Sequence, residues 1–151
     1  MISSYDRRMH YKVTFPADYK NIPPLREMVY RIAILDEFDK KDAEHLKSVV
    51  DELCNNAIEW GSQPTSEVIL EVYSDDKHMK ITCRDQGHGN KLPSGEVLNK
   101  LDEEVQESAA RGRGLRMIVR GFMDEITIND RKDGGLKIQT TLNKKHQTPN
   151  S

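Results

Sequence analysis

The chain has 151 residues, 36% of them hydrophobic and 32% charged, with a formal net charge of −2. That length makes one domain able to bury a core. The interspersed acids and bases exclude the basic field that nucleic-acid binding requires, so an anionic ligand must be held by local geometry.

Residues 10–15 alternate as a strand does, and Pro16 ends the run. Pro23 and Pro24 open a helix, since proline is tolerated in a first turn. Leu25, Met28, Val29, Ile32, Ala33 and Leu35 then recur at helical spacing. Asp39 is a good N-cap for a second helix, with Asp42 in its first turn favouring the dipole. In that helix Ala43, Leu46, Val50, Leu53, Ala57 and Trp60 repeat at alternating intervals of three and four, and Gly61 is placed as its C-cap. Residues 67–73 and 78–84 read as a hairpin around the turn 74–77. A polar connection over 90–110 follows, then a helix over 114–121 and strands over 124–129 and 136–142. The order β-α-α-β-β-loop-α-β-β predicts an α+β, two-layer sandwich with helices on one face of a mixed, mostly antiparallel sheet. Residues 1–9 and 146–151 are expected to be flexible ends of a single domain spanning 10–145.

Cys54 and Cys83 sit in apolar patterns without metal-like spacing, which suits buried thiols in a reducing compartment. The N-terminus has no signal-peptide stretch, and no apolar run approaches membrane-spanning length. A cytoplasmic protein is the expectation. His10, His45, His78 and His146 are scattered, without paired metal-ligand spacing, and His88 reads as an exposed loop residue. Neither a nucleophilic serine elbow nor a GxxxxGK[ST] phosphate loop is present.

Three short segments carry chemistry together. At about 100° per residue, Asn56 and Glu52 lie on one side of the second helix's apolar stripe, along the border of its buried face. An amide oxygen is a hard ligand suited to Mg²⁺, and a carboxylate one turn away could accept a proton from an incoming hydroxyl. Asp85-Gln86-Gly87-His88-Gly89 follows a strand, where the glycines permit close approach of backbone to ligand and the acid could accept the amine of adenine. Arg111-Gly112-Arg113-Gly114 opens the next helix, whose free amides and dipole favour phosphate. Each alone has an ordinary explanation: a solvated acid–amide pair, an acid–glycine turn, a helix start. Their order makes one nucleotide site.

In that order the segments resemble the N-box, first glycine box and second glycine box of the ATPase superfamily shared by gyrase, heat-shock chaperones, histidine kinases and mismatch-repair proteins. Within it, residues 52–61 and 122–126 look most like the anti-sigma-factor serine/threonine kinases of bacterial partner-switching systems. The resemblance runs from about Tyr11 to Lys145. It implies a Bergerat-type ATP-binding fold, with ATP and Mg²⁺ as cofactors. It makes Asn56 the Mg²⁺ ligand, Glu52 the catalytic base and Asp85 the partner of the adenine amine. Gly87 and Gly89 would shape the pocket, residues 90–110 would form the ATP lid, and Gly112 and Gly114 would bring amides to the phosphates. Arg111 would stand near the terminal phosphate, with Arg113 beside it in the same nucleotide-binding segment.

The implied reaction moves the ATP γ-phosphate to a serine or threonine of a STAS-type anti-anti-sigma protein, after which the released kinase sequesters a sigma factor. Relatives usually dimerise, and the first helix, with Arg26, Tyr30 and Arg31, is the candidate partner surface. Neither nucleic acid nor membrane is an expected partner. Three features depart from the pattern: Gly135 is followed by Leu136 and Lys137 where relatives usually have Gly-Thr, the stretch from Gly114 to Met123-Asp124 has one extra residue, and the lid is poor in glycine. Two other readings stay open. One is a nucleotide-holding module that acts only by sequestration; the other is a histidine-kinase ATPase domain detached from its dimerisation helices.

Overall fold

The computed structural model describes residues 8–61, 66–86, 121–130 and 135–145. Strand β1 (Met9–Pro16) leads through a single 3-10 turn into α1 (Ile22–Leu35) and α2 (Lys40–Gly61). The hairpin β2 (Glu67–Ser74) and β3 (His78–Arg84) follows, and later β4 (Glu125–Asp130) and β5 (Leu136–Asn143). The local signals act as expected at most ends. Both prolines lie in the first turn of α1, and Asp39 Oδ1 accepts the Asp42 N–H at 2.8 Å. Gly61 is the last residue of α2 rather than the position beyond it, so the helix runs one residue past the predicted stop.

The five strands form one sheet in the order β1-β2-β3-β5-β4. All four pairings among the described residues are antiparallel, in keeping with the mostly antiparallel sheet that was expected. The helix expected over 114–121 lies outside the described residues, apart from Gly121, which with Phe122 is helical.

The core lies between the two helices and one face of the sheet. Val68, Leu70 and Val72 of β2, Met79, Ile81 and Cys83 of β3, and Ile138 and Leu142 of β5 alternate inward. Val29 and Ile32 of α1 and Leu46, Val49, Val50 and Leu53 of α2 cover them. The helices are tied to each other by Arg26, whose guanidinium donates to both Asp51 carboxylate oxygens at 2.9 and 3.0 Å. Lys47 also sits 4.4 Å from the centre of the Tyr30 ring. Arg26 and Tyr30, expected to face a partner, are therefore engaged within the chain, while Arg31 points outward beside Glu27.

The α1–α2 connection is fastened to the far end of the sheet. Ser74 donates to the buried Asp36 carboxylate, and the Lys144 ammonium donates to the Asp36 carbonyl. Glu37, at φ 66°, makes the sharp turn between the helices. No helix among the described residues is long and apolar enough to cross a membrane.

Candidate functional site: the open end of α2 and β3

Asn56 is 2% exposed, on the side of α2 that borders the core. Burying an amide there demands partners, and Glu52 supplies them. Asn56 Nδ2 donates to the Glu52 carbonyl at 2.9 Å and to Glu52 Oε2 at 2.5 Å. The carboxylate is therefore held in place by the amide one turn on. Because both bonds use the Asn56 nitrogen, its oxygen Oδ1 stays available among the described residues as an acceptor for a hard cation. Among these residues no group of three or more His, Cys, Asp and Glu could hold a metal ion. Mg²⁺ would arrive with phosphate oxygens and water as its remaining ligands, which is how that ion is commonly bound.

Asp85 stands just past the end of β3 and is 4% exposed. Its parity with Cys83 puts it on the helix-covered face. The ladder to β5 continues through it: the Asp85 N–H donates to the Leu136 carbonyl at 3.1 Å, and Asp85 Oδ1 accepts the Leu136 N–H at 3.2 Å. This contact explains Gly135. A β-carbon there would lie 2.1 Å from the Asp85 carbonyl oxygen and 3.0 Å from Oδ1, so only glycine lets the two strand ends approach. Leu136 replaces the threonine expected at this point; its side chain joins the core while its backbone N–H orients Asp85.

The two halves of the site are brought together by the cysteines between them. Cys83 Sγ lies 3.7 Å from the Leu53 carbonyl, against the turn of α2 that carries Glu52. The neighbouring Cys54 thiol and burial raise the Cys83 pKa well above its ordinary value, so Cys83 stays a protonated packing group. The expectation of buried cysteines holds, and they join α2 to the strand that leads to Asp85.

His45 was missed by the sequence reading, which grouped it with scattered histidines. It stacks on Phe122 with ring centres 4.1 Å apart and planes 14° from parallel. The chain that leaves the described residues after Gln86 thus returns to the same helix. Spacings of seven and eleven place Glu52 and Asn56 within about 20° of His45 around α2. That periodicity was the available signal. Gly87, Gly89, Arg111, Gly112, Arg113 and Gly114 lie outside the described residues, as does most of the expected lid over 90–110.

Known proteins agree with this architecture. Residues 15–142 match the family described as histidine kinase-like ATPase domain. No curated protein matches the chain. Among solved structures it is similar to the catalytic domain of histidine kinase ThkA in three nucleotide-free crystal forms. One is 15% identical with a TM-score of 0.55, covering 89% of this chain and 98% of that one. The others are 14% and 13% identical, with TM-scores of 0.52 and 0.51, covering 89% and 91% of this chain and 96% and 99% of those. At such identities the likeness speaks to the fold. The family match spans most of the chain and contains the Glu52–Asn56 pair and Asp85, and the chain belongs to the histidine kinase-like ATPase domain family.

Proposed function

We propose that the chain is a serine/threonine-protein kinase and anti-sigma factor that binds Mg-ATP between α2 and the outgoing end of β3. The observation that carries this reading is the Glu52 carboxylate, fixed at 2.5 Å by the buried amide of Asn56 beside a strand end that carries Asp85. A domain that only held nucleotide would have no need of a positioned acid there. Asn56 Oδ1 is the cation ligand, and Asp85, oriented by the Leu136 N–H, is the acceptor for the adenine amine. When bound, Mg²⁺ neutralises charge on the phosphates. Glu52 takes the proton of the attacking hydroxyl, and its tether to Asn56 keeps it in one place while the substrate arrives. The phosphate contacts fall to Gly112, Gly114, Arg111 and Arg113, with Gly87 and Gly89 shaping the pocket and residues 90–110 as the lid.

The substrate in this reading is a serine or threonine of a STAS-type anti-anti-sigma protein. Its unphosphorylated form binds the kinase, and the new phosphate charge breaks that interface. The freed kinase then sequesters a sigma factor. Arg31 on the outer side of α1 is the contact proposed for partners, and homodimerisation belongs to the same proposal.

The test is incubation with Mg-ATP and candidate STAS proteins, reading intact mass for an added phosphate. Wild type is expected to transfer phosphate, and Glu52→Gln to lose roughly 10²–10⁴-fold in rate while still binding ATP. Full transfer by Glu52→Gln would remove Glu52 from the role of base. ATP binding without transfer to any candidate would leave a module that works by sequestration alone.

A further inference from the structure

The face of the sheet opposite the helices carries its own pattern. The register lines up Thr14, Ile69, Arg84, Lys137 and Asn129 in one row across the five strands, and Lys12, Glu71, Thr82, Gln139 and Thr127 in the next. A third row holds His10, Tyr73, Lys80, Thr141 and Glu125. No helix among the described residues covers these rows, yet Glu71 is 6% and Thr82 2% exposed. Long neighbouring side chains bury them. Over β2, β3 and β5 they leave a shallow hollow of about 330 Å³ that includes Lys80, Arg84, Lys137, Thr82 and Gln139 in its walls.

Among the described residues Glu71 is the one carboxylate lining that hollow, and it is fully engaged. Arg84 donates to one of its oxygens, while His10 Nε2 and the Tyr73 hydroxyl reach the other at 2.8 and 3.0 Å. Among the described residues no carboxylate pairs with Lys80 or Lys137. Arg84 Nε is also buried with no acceptor among them. Among the described residues, three cations against one occupied carboxylate therefore leave the hollow positive, on a chain whose net charge is −2.

We propose that this helix-free face is a docking surface for an acidic protein segment, seated over Lys80, Arg84 and Lys137. Lys80 and Arg84 are four residues apart on one strand, so their stems stand about 13 Å apart. An extended segment with carboxylates at matching intervals would meet both, and its backbone would find hydroxyl and amide groups at Thr82 and Gln139. A second copy of the chain would oppose lysine with lysine if the same faces met. The proposal does not rest on the nucleotide reading, which concerns the other face of the sheet.

Binding of a fluorescein-labelled octaglutamate peptide, followed by fluorescence anisotropy at neutral pH, tests it. Saturable binding is expected at low salt, weakening as salt is added. Lys80→Glu/Lys137→Glu should weaken it by about tenfold or more, whereas Lys40→Glu/Lys41→Glu, at the exposed start of α2, should change it by less than about twofold. Should the first variant unfold, Lys80→Gln/Lys137→Gln carries the same comparison. Equal losses in the two pairs, or no peptide binding, would overturn the proposal. So would tighter binding of a single-stranded oligonucleotide of equal charge, which would assign the face to nucleic acid. A dimer in sedimentation that the Lys80 and Lys137 changes dissolve would assign it to self-association.

Discussion

On the helix-covered face of the sheet, β2 places Val68, Leu70 and Val72 against α1 and α2; on the other face the same strand places Ile69, Glu71 and Tyr73. Both faces bury side chains, by different means. The first excludes water with aliphatic groups from two layers, an arrangement that is non-directional and tolerant of detail. The second buries a carboxylate under the long side chains beside it, and each of its bonds depends on one partner at one register position. The contrast bears on where the proposed nucleotide site lies. Asp85 and Asn56 are polar groups at the border of the apolar face, where the core stops and hydrogen bonds replace packing.

Substitutions on the two faces should separate these modes. Leu70→Ala, at a fully buried position, is expected to cost about 2–5 kcal/mol in denaturant unfolding. Lys12→Ala, exposed on the opposite face, should stay within about 0.5 kcal/mol. Similar losses at both positions would mean that the second face is also packed against something.

Gly135→Ala should come next. Its β-carbon would meet the Asp85 carbonyl, so about 1–3 kcal/mol of stability is expected to be lost. Adenine-nucleotide affinity should fall with it, because the strand end that carries Asp85 must move. Calorimetric titration against ATP would check this, and unchanged affinity would detach Asp85 from the adenine side.

Glu71 gives the smallest and most specific effect. Burial pushes its carboxyl up, but the bonds from His10 and Tyr73 and the charge of Arg84 outweigh it, so its pKa lies below the ordinary 4.5. A depressed folded-state pKa means the stabilisation is present above 4.5 and is lost as pH falls through the folded value. Asp75 adds to the same acid limb. Burial raises it, but the Lys77 and His78 amide N–H groups, at 2.7 and 2.9 Å, hold it below 3.8. Glu71→Gln should flatten the acid limb of the unfolding midpoint against pH while leaving the Asp75 part. A limb unchanged in the variant would show that the Glu71 cluster contributes little.

Much of this was legible beforehand because it is local. The hairpin needed only alternation and a turn, and β3 begins and ends where the pattern does, at His78 and Arg84. The Glu52–Asn56 pair needed only a spacing of four, and the structure supplies the bond that the spacing made possible. His45 carried the same kind of signal at a spacing of seven. It was overlooked because a histidine in an apolar helix resembles a core residue until Phe122 is seen beside it. Arg26 and Tyr30 show the opposite case. Their positions on α1 say nothing of which long side chains α2 will offer them.

By itself, then, the sequence determined the elements, the apolar faces and the placement of Glu52 and Asn56 one turn apart on α2, since these follow from periodicities of two and 3.6 within single segments. Only the tertiary structure decided that β3 lies beside β5, that Gly135 must yield space to Asp85, and that Glu71 is buried on the face without helices. Those contacts join residues far apart in the chain. Sheet register and strand order fix them, and the local pattern of one strand does not encode either.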